Sequence, residues 1–102
     1  MRSRDILRMY NQISHITADS NYSRVYLTDG RMFLYGKLLL HWEAELSGFN
    51  FFRIHKSHLV NMDHVKLAPV ELAQKTIRIP VKGELLPVAR RIKPAFLTHF
   101  KS

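Results

Sequence analysis

The sequence predicts a mostly β domain: antiparallel sheets with two short helices packed against their faces. Three observations predict it. Apolar and polar residues alternate through residues 24–28, 52–56 and 76–81, which is the period of a half-buried strand. Asp29-Gly30 and Lys82-Gly83-Glu84 fall between strand-like runs, as hairpin turns do. Only residues 36–46 and 90–100 change to a helical period.

Residues 13–16 are the first strand candidate, and residues 18–22 carry the polar side chains of a loop. In residues 24–28, Val25 and Leu27 share one face while Arg24 and Tyr26 share the other. Asp29-Gly30 then reverses the chain, because both residue types tolerate positive φ, and residues 31–35 return. Across residues 36–46, Leu38, Leu39, Trp42 and Leu46 form one helix stripe, with Trp42 as its buried anchor; Lys37, Glu43 and Glu45 face water. Gly48 suits a left-handed position after that helix.

In residues 52–56, Phe52 and Ile54 point one way and Arg53 and His55 the other. Leu59 and Val60 continue the apolar content. Asn61-Met62-Asp63 reads as a turn, and residues 64–67 as a short strand that Pro69 ends. Ile77, Ile79 and Val81 point inward from the next strand, while Arg78 and Pro80 point outward; Pro80 places that strand at an edge. Residues 85–88 return from the second turn. Ile92, Phe96 and Phe100, four apart, define the last helix, with Pro94 in its first turn.

A chain of 102 residues makes one small domain, and 46 % hydrophobic content supports a real core. With no cysteine there is no disulfide, thiolate metal site or cysteine nucleophile. The longest near-apolar run, residues 32–40, is broken by Gly36 and Lys37 and falls short of the ~20 residues that cross a bilayer. The net charge of +8 is unevenly placed. Residues 1–52 hold six Lys/Arg against five acids (+1), and residues 53–102 hold ten against three (+7). Such a one-sided excess steers anionic partners, of which nucleic acid is the commonest and an anionic membrane the other; in many basic proteins the charge serves solubility alone.

No catalytic set converges. The eight carboxylates show no pair placed to separate acid and base roles, and Ser57 beside His55 and His58 lacks any oxyanion signal. No GxGxxG or Walker sequence offers a cofactor cradle. His55, His58 and His64 do not read as a metal site: residues three apart in a strand point to opposite faces. The chain is therefore expected to be no enzyme and to hold no cofactor or metal.

Three basic or polar segments remain. Arg53, His55 and Lys56 cluster at a strand end, with Ser57 able to donate to phosphate. Each also fits the solvated face of a half-buried strand. Arg90 and Arg91 stand where a strand gives way to a helix, a junction fixed by Val88 and Ile92. Cations at a helix start oppose the helix dipole, which argues for another use than solvation. Ser20-Asn21-Tyr22-Ser23-Arg24 offers an asparagine that can read adenine, and hydroxyls for phosphate.

These residues also carry a family resemblance. FFRIHKSHLVN keeps Phe-x-Arg-x-His-x-Ser-x-x-Val-Asn; NYSRVYLTDGR, FLYGKLLLHWEAEL and LPVARR follow in matching order. The chain resembles the LytTR-type DNA-binding domains of bacterial response regulators over residues 11–100. Ala89 stands where a serine is common. Residues 1–10 are then an N-terminal extension or a truncated first strand. No receiver domain is present in this sequence, as expected of either an excised domain or a short regulator.

The resemblance implies an elongated, LytTR-like antiparallel β fold with two short flanking helices. It implies a cytoplasmic protein of a two-component system that binds double-stranded DNA specifically, through loops and strand ends in successive major grooves. A second copy would occupy an adjacent repeat. Base contacts would come from Asn21, Tyr22, Lys56 and Arg90. Phosphate contacts would come from Ser23, Arg24, Arg53, His55, Ser57, Arg91 and Lys93. Two alternatives stay open: an RNA-binding module, and a protein-interaction domain that has lost DNA binding.

Overall fold

Alternating apolar residues need two faces to bury, and this chain supplies a cover for each. The structure, a computed structural model, describes residues 1–81 and 83–101. Five antiparallel strands form the main sheet: β1 (Ile13–Asp19), β2 (Tyr22–Leu27), β3 (Met32–Tyr35), β4 (Phe51–His55) and β5 (His58–Asn61). Their spatial order is β3-β2-β1-β5-β4. A separate hairpin pairs β6 (Arg78–Val81) with β7 (Glu84–Pro87). The helices are α1 (Ser3–Arg8), α2 (Leu39–Glu45), α3 (Pro69–Leu72) and α4 (Lys93–Lys101). The molecule measures 39 × 25 × 24 Å, so it is elongated.

One sheet face carries Ile13, Ile16, Val25, Leu27 and Leu59, packed under Ile6 of α1 and Leu39, Trp42 and Leu46 around α2. The opposite face carries Ile54 and Val60, covered by Ile77, Ile79, Val81, Leu86, Val88 and Phe96. Consecutive Leu59 and Val60 thus enter different cores, which is why this strand does not alternate. Trp42 is fully buried, with Lys37 Nζ 4.2 Å from its ring centre; the same ammonium pairs with Glu45. Both faces of the sheet being covered, the layers hold each other without help from disulfides.

Several expectations are corrected. Two helices were expected, whereas four are described. Residues 3–8 are helical, with the Asp5 carboxylate accepting the Arg2 amide at 3.3 Å. α3 starts at Pro69, whose missing N–H costs nothing in a first turn, and Glu71 accepts the Ala68 amide at 2.9 Å. Residues 18–22 are no loop: β1 and β2 run on to an Asp19–Tyr22 pair, leaving Ser20-Asn21 as a two-residue turn with Ser20 at φ 55°. Leu38 lies before α2 and is exposed rather than part of its stripe. The left-handed position falls on Asn50 (φ 57°) instead of Gly48. Residues 64–67 form no strand, because Met62–His64 is a 3-10 turn capped by Asn61.

Lys37 does not face water, its side chain being 19 % exposed and lying over Trp42. Several other residues stand as the sequence pattern requires. Gly30 takes φ 96° in the β2–β3 turn. Ile77, Ile79 and Val81 are buried while Arg78 and Pro80 are exposed. Asn61 is 1 % exposed and donates to the Ile13 carbonyl at 3.0 Å. Of the second turn, Lys82 lies outside the described residues.

Candidate nucleic-acid interface

Sheet register brings the three sequence segments to one end of the molecule. Thr17 pairs with His58, so the β4–β5 turn lies beside the far end of β1. The Ala18 amide donates to the Ser57 carbonyl at 2.9 Å and ties that turn to the β1–β2 hairpin. The chain after β7 closes on the same end: the Ala89 amide donates to the Ile54 carbonyl at 2.7 Å. Arg90–Ile92 then form a 3-10 turn leading into α4. Asn21, Lys56 and Arg90 therefore leave three different elements at one end of the sheet.

Their side chains divide into those free to meet a ligand and those already used. Asn21, Tyr22, Lys56, Arg90 and Arg91 are exposed. Lys56, Arg90 and Arg91 make no side-chain hydrogen bond or ion pair among the described residues. Lys56, Arg91, Arg53, His55, Glu43 and Ile92 line a shallow cavity of about 380 Å³. Cations from two segments thus share one concave surface, where their potentials add.

Four expected phosphate contacts are otherwise engaged. Ser23 is fully buried, and its hydroxyl donates to the Lys37 carbonyl at 2.5 Å. Lys93 Nζ donates to the carbonyls of Gln74 (2.8 Å) and Lys75 (3.2 Å), closing the loop after α3. Arg53 donates to Glu43 Oε1 at 3.1 Å and to the Lys56 carbonyl at 2.6 Å. His55 Nδ1 accepts the Ser57 amide at 3.1 Å. Arg24 pairs with Asp19 at 2.6 Å yet keeps 43 % of its side chain exposed. Hydrogen bonds to Tyr26 and then Asp19 push its guanidinium above its ordinary range. Ser57 is half-buried in the turn.

The histidines behave differently from the strand rule. Lys56-Ser57 is a turn, so His55 and His58 become cross-strand partners with ring centres 5.3 Å apart. The expectation that they point apart failed because it treated residues 52–60 as one strand. His58 Nδ1 meets Thr17 Oγ1 at 3.1 Å. Burial, then the neighbouring His55, lowers the His58 pKa, with Glu84 opposing. His15 behind it is held at about 4, by burial first and His58 second. Among the described residues, no three His, Cys, Asp or Glu side chains gather as a metal site. No described helix is long and apolar enough to cross a membrane.

Comparison with known proteins agrees with this architecture. A Bacillus cereus structure, the LytTr DNA-binding domain of a protein described as a methyl-accepting/DNA response regulator, superposes with a TM-score of 0.73. The match covers 91 % of this chain and 84 % of that one at 20 % identity, a likeness of fold. No curated protein matches significantly. The family model for the LytTr DNA-binding domain matches residues 4–101. Matched over nearly its whole length, the chain belongs to the LytTR DNA-binding domain family, whose members are non-catalytic DNA-binding modules of transcriptional regulation.

Proposed function

We propose that this chain recognises a specific duplex DNA site with the end of the molecule that carries Asn21, Lys56 and Arg90. The observation that carries the reading is the convergence there of unpaired cations from separate segments, Lys56 from one and Arg90 and Arg91 from another. The β1–β2 turn, the β4–β5 turn and the junction before α4 would enter successive major grooves. Lys56 and Arg90 read base edges; Arg offers guanine O6/N7 a two-bond fork, and Lys a single charged donor. Asn21 and Tyr22 supply further base contacts from the hairpin tip. Arg91, Arg24 and Ser57 face phosphate, and these fix register without reading sequence.

Arg53, Ser23 and Lys93 leave the contact set, since their polar groups serve the fold; His55 engages only Nδ1 in the turn and keeps Nε2 for phosphate. Two copies on adjacent repeats would read a longer site. The natural setting is a cytoplasmic two-component system, with this domain as the output of a response regulator. Selection of duplexes from a random pool, followed by competition against scrambled duplex and single-stranded RNA, tests the reading. Enrichment of one sequence motif supports it. Equal binding of selected and scrambled duplexes overturns it, and preference for RNA favours the RNA-binding alternative.

A further inference from the structure

Arg53 leaves β4 toward α2, away from the core side of Ile54. One nitrogen of its guanidinium donates to Glu43 on α2 and the other to the Lys56 carbonyl. A single planar group therefore joins a packed helix to the first residue of the β4–β5 turn. Two further bonds hold the second residue: His55 Nδ1 accepts the Ser57 amide, and the Ala18 amide donates to the Ser57 carbonyl. The turn backbone is thus held from α2, β4 and β1, while the Lys56 side chain projects free. Arg53 is only 27 % exposed, with its fork occupied, which is a poor state for a phosphate contact and a good one for a brace.

We propose that Arg53, anchored by Glu43, is a positioning residue that holds the Lys56 carbonyl and so aims the Lys56 side chain into the DNA groove. The inference rests on the reading that Lys56 contacts DNA. A flexible lysine on a loose turn must be ordered on binding; a braced turn has met part of that cost beforehand.

Glu43→Gln separates the two roles by sign. It removes one negative charge and weakens the hold on the guanidinium, since a neutral amide oxygen is a poorer acceptor than a carboxylate. Were Arg53 a phosphate contact, selected and scrambled duplexes would both bind tighter at an unchanged ratio. Positioning gives the opposite: discrimination falls several-fold, part of the roughly 5- to 150-fold that a good base contact supplies. Arg53→Lys keeps the charge but not the fork, so it should lose discrimination at an unchanged salt slope.

A DNA-free arm follows the Ser57 amide by hydrogen exchange in the whole domain. Both variants should speed its exchange while global melting stays put. Unchanged Ser57 exchange, or tighter binding of both duplexes by Glu43→Gln, overturns the proposal. Lys56→Ala serves as the reference: if it leaves discrimination intact, base reading by Lys56 fails, while the exchange result still judges the brace.

Discussion

Lowering the pH should destabilise this domain through His15, a buried residue of β1. His15 is 1 % exposed, and its ring lies parallel to Tyr26 with centres 4.3 Å apart. Nδ1 meets Ser14 Oγ at 3.1 Å, and Nε2 is buried without a partner among the described residues. An imidazolium must donate from both ring nitrogens, and buried Nε2 has no acceptor among the described residues. Its pKa accordingly falls from 6.5 to about 4. The unfolded chain takes up the proton near pH 6.5 and the folded chain resists until about pH 4, so between these values the unfolded state binds more protons. Stability is complete above about pH 6.5 and declines as pH falls toward 4. Between pH 8 and pH 4.5 this one group should remove on the order of 2–3 kcal/mol, a large share of a small domain's stability. His58 adds a loss of the same sign. Urea unfolding at both pH values, for wild type and His15→Phe, isolates the effect, since Phe keeps the stacking on Tyr26 but cannot titrate. The wild-type loss should exceed the variant's by about that amount. Equal losses in the two proteins would refute the assignment of acid sensitivity to His15.

Other perturbations give independent checks. Arg90→Ala should reduce the preference for a selected duplex by about 1–3 kcal/mol, read by competition binding; an unchanged preference removes Arg90 from base reading. Arg91→Ala should instead weaken selected and scrambled duplexes alike, with the slope of log K against log salt reduced by about one. Ile54→Ala, in the core between the two sheets, should cost about 2–5 kcal/mol in denaturant unfolding, whereas exposed Leu85→Ala should cost little.

Much of the β architecture was legible because local chemistry and tertiary burial agree. Val25/Leu27 and Ile77/Ile79/Val81 alternate where one strand face is buried, and Asp29-Gly30 sits where positive φ is required. Trp42 and Phe96 mark their helix stripes correctly. The misses have physical causes. Residues 1–10 offer one buried residue, Ile6, too little for a period, so α1 was silent except for Asp5 at its third position. α3 had a readable start, Pro69 followed by Glu71 two residues later, but the preceding residues looked like the end of a strand. Leu59 and Val60 obscured alternation by entering two cores at once.

The candidate interface was legible as three separate segments; their meeting at one end depends on strand register that composition does not encode. Sequence also counted cations without knowing which were used. Arg53 and Lys93 read as free donors, and only the folded chain shows their hydrogen bonds to Glu43, Lys56, Gln74 and Lys75. His55 and His58 were separated on paper by a strand rule that a two-residue turn cancels.

Backbone amide shifts recorded while a selected duplex is titrated into the labelled domain would map the bound surface residue by residue. Changes should concentrate at residues 20–22, 56–57 and 90–91, with Asn50, Met62 and His99 at the other end of β4–β5 unaffected. Changes gathered around Asn50 and His99 instead would mean that the basic end of the sheet does not hold the DNA.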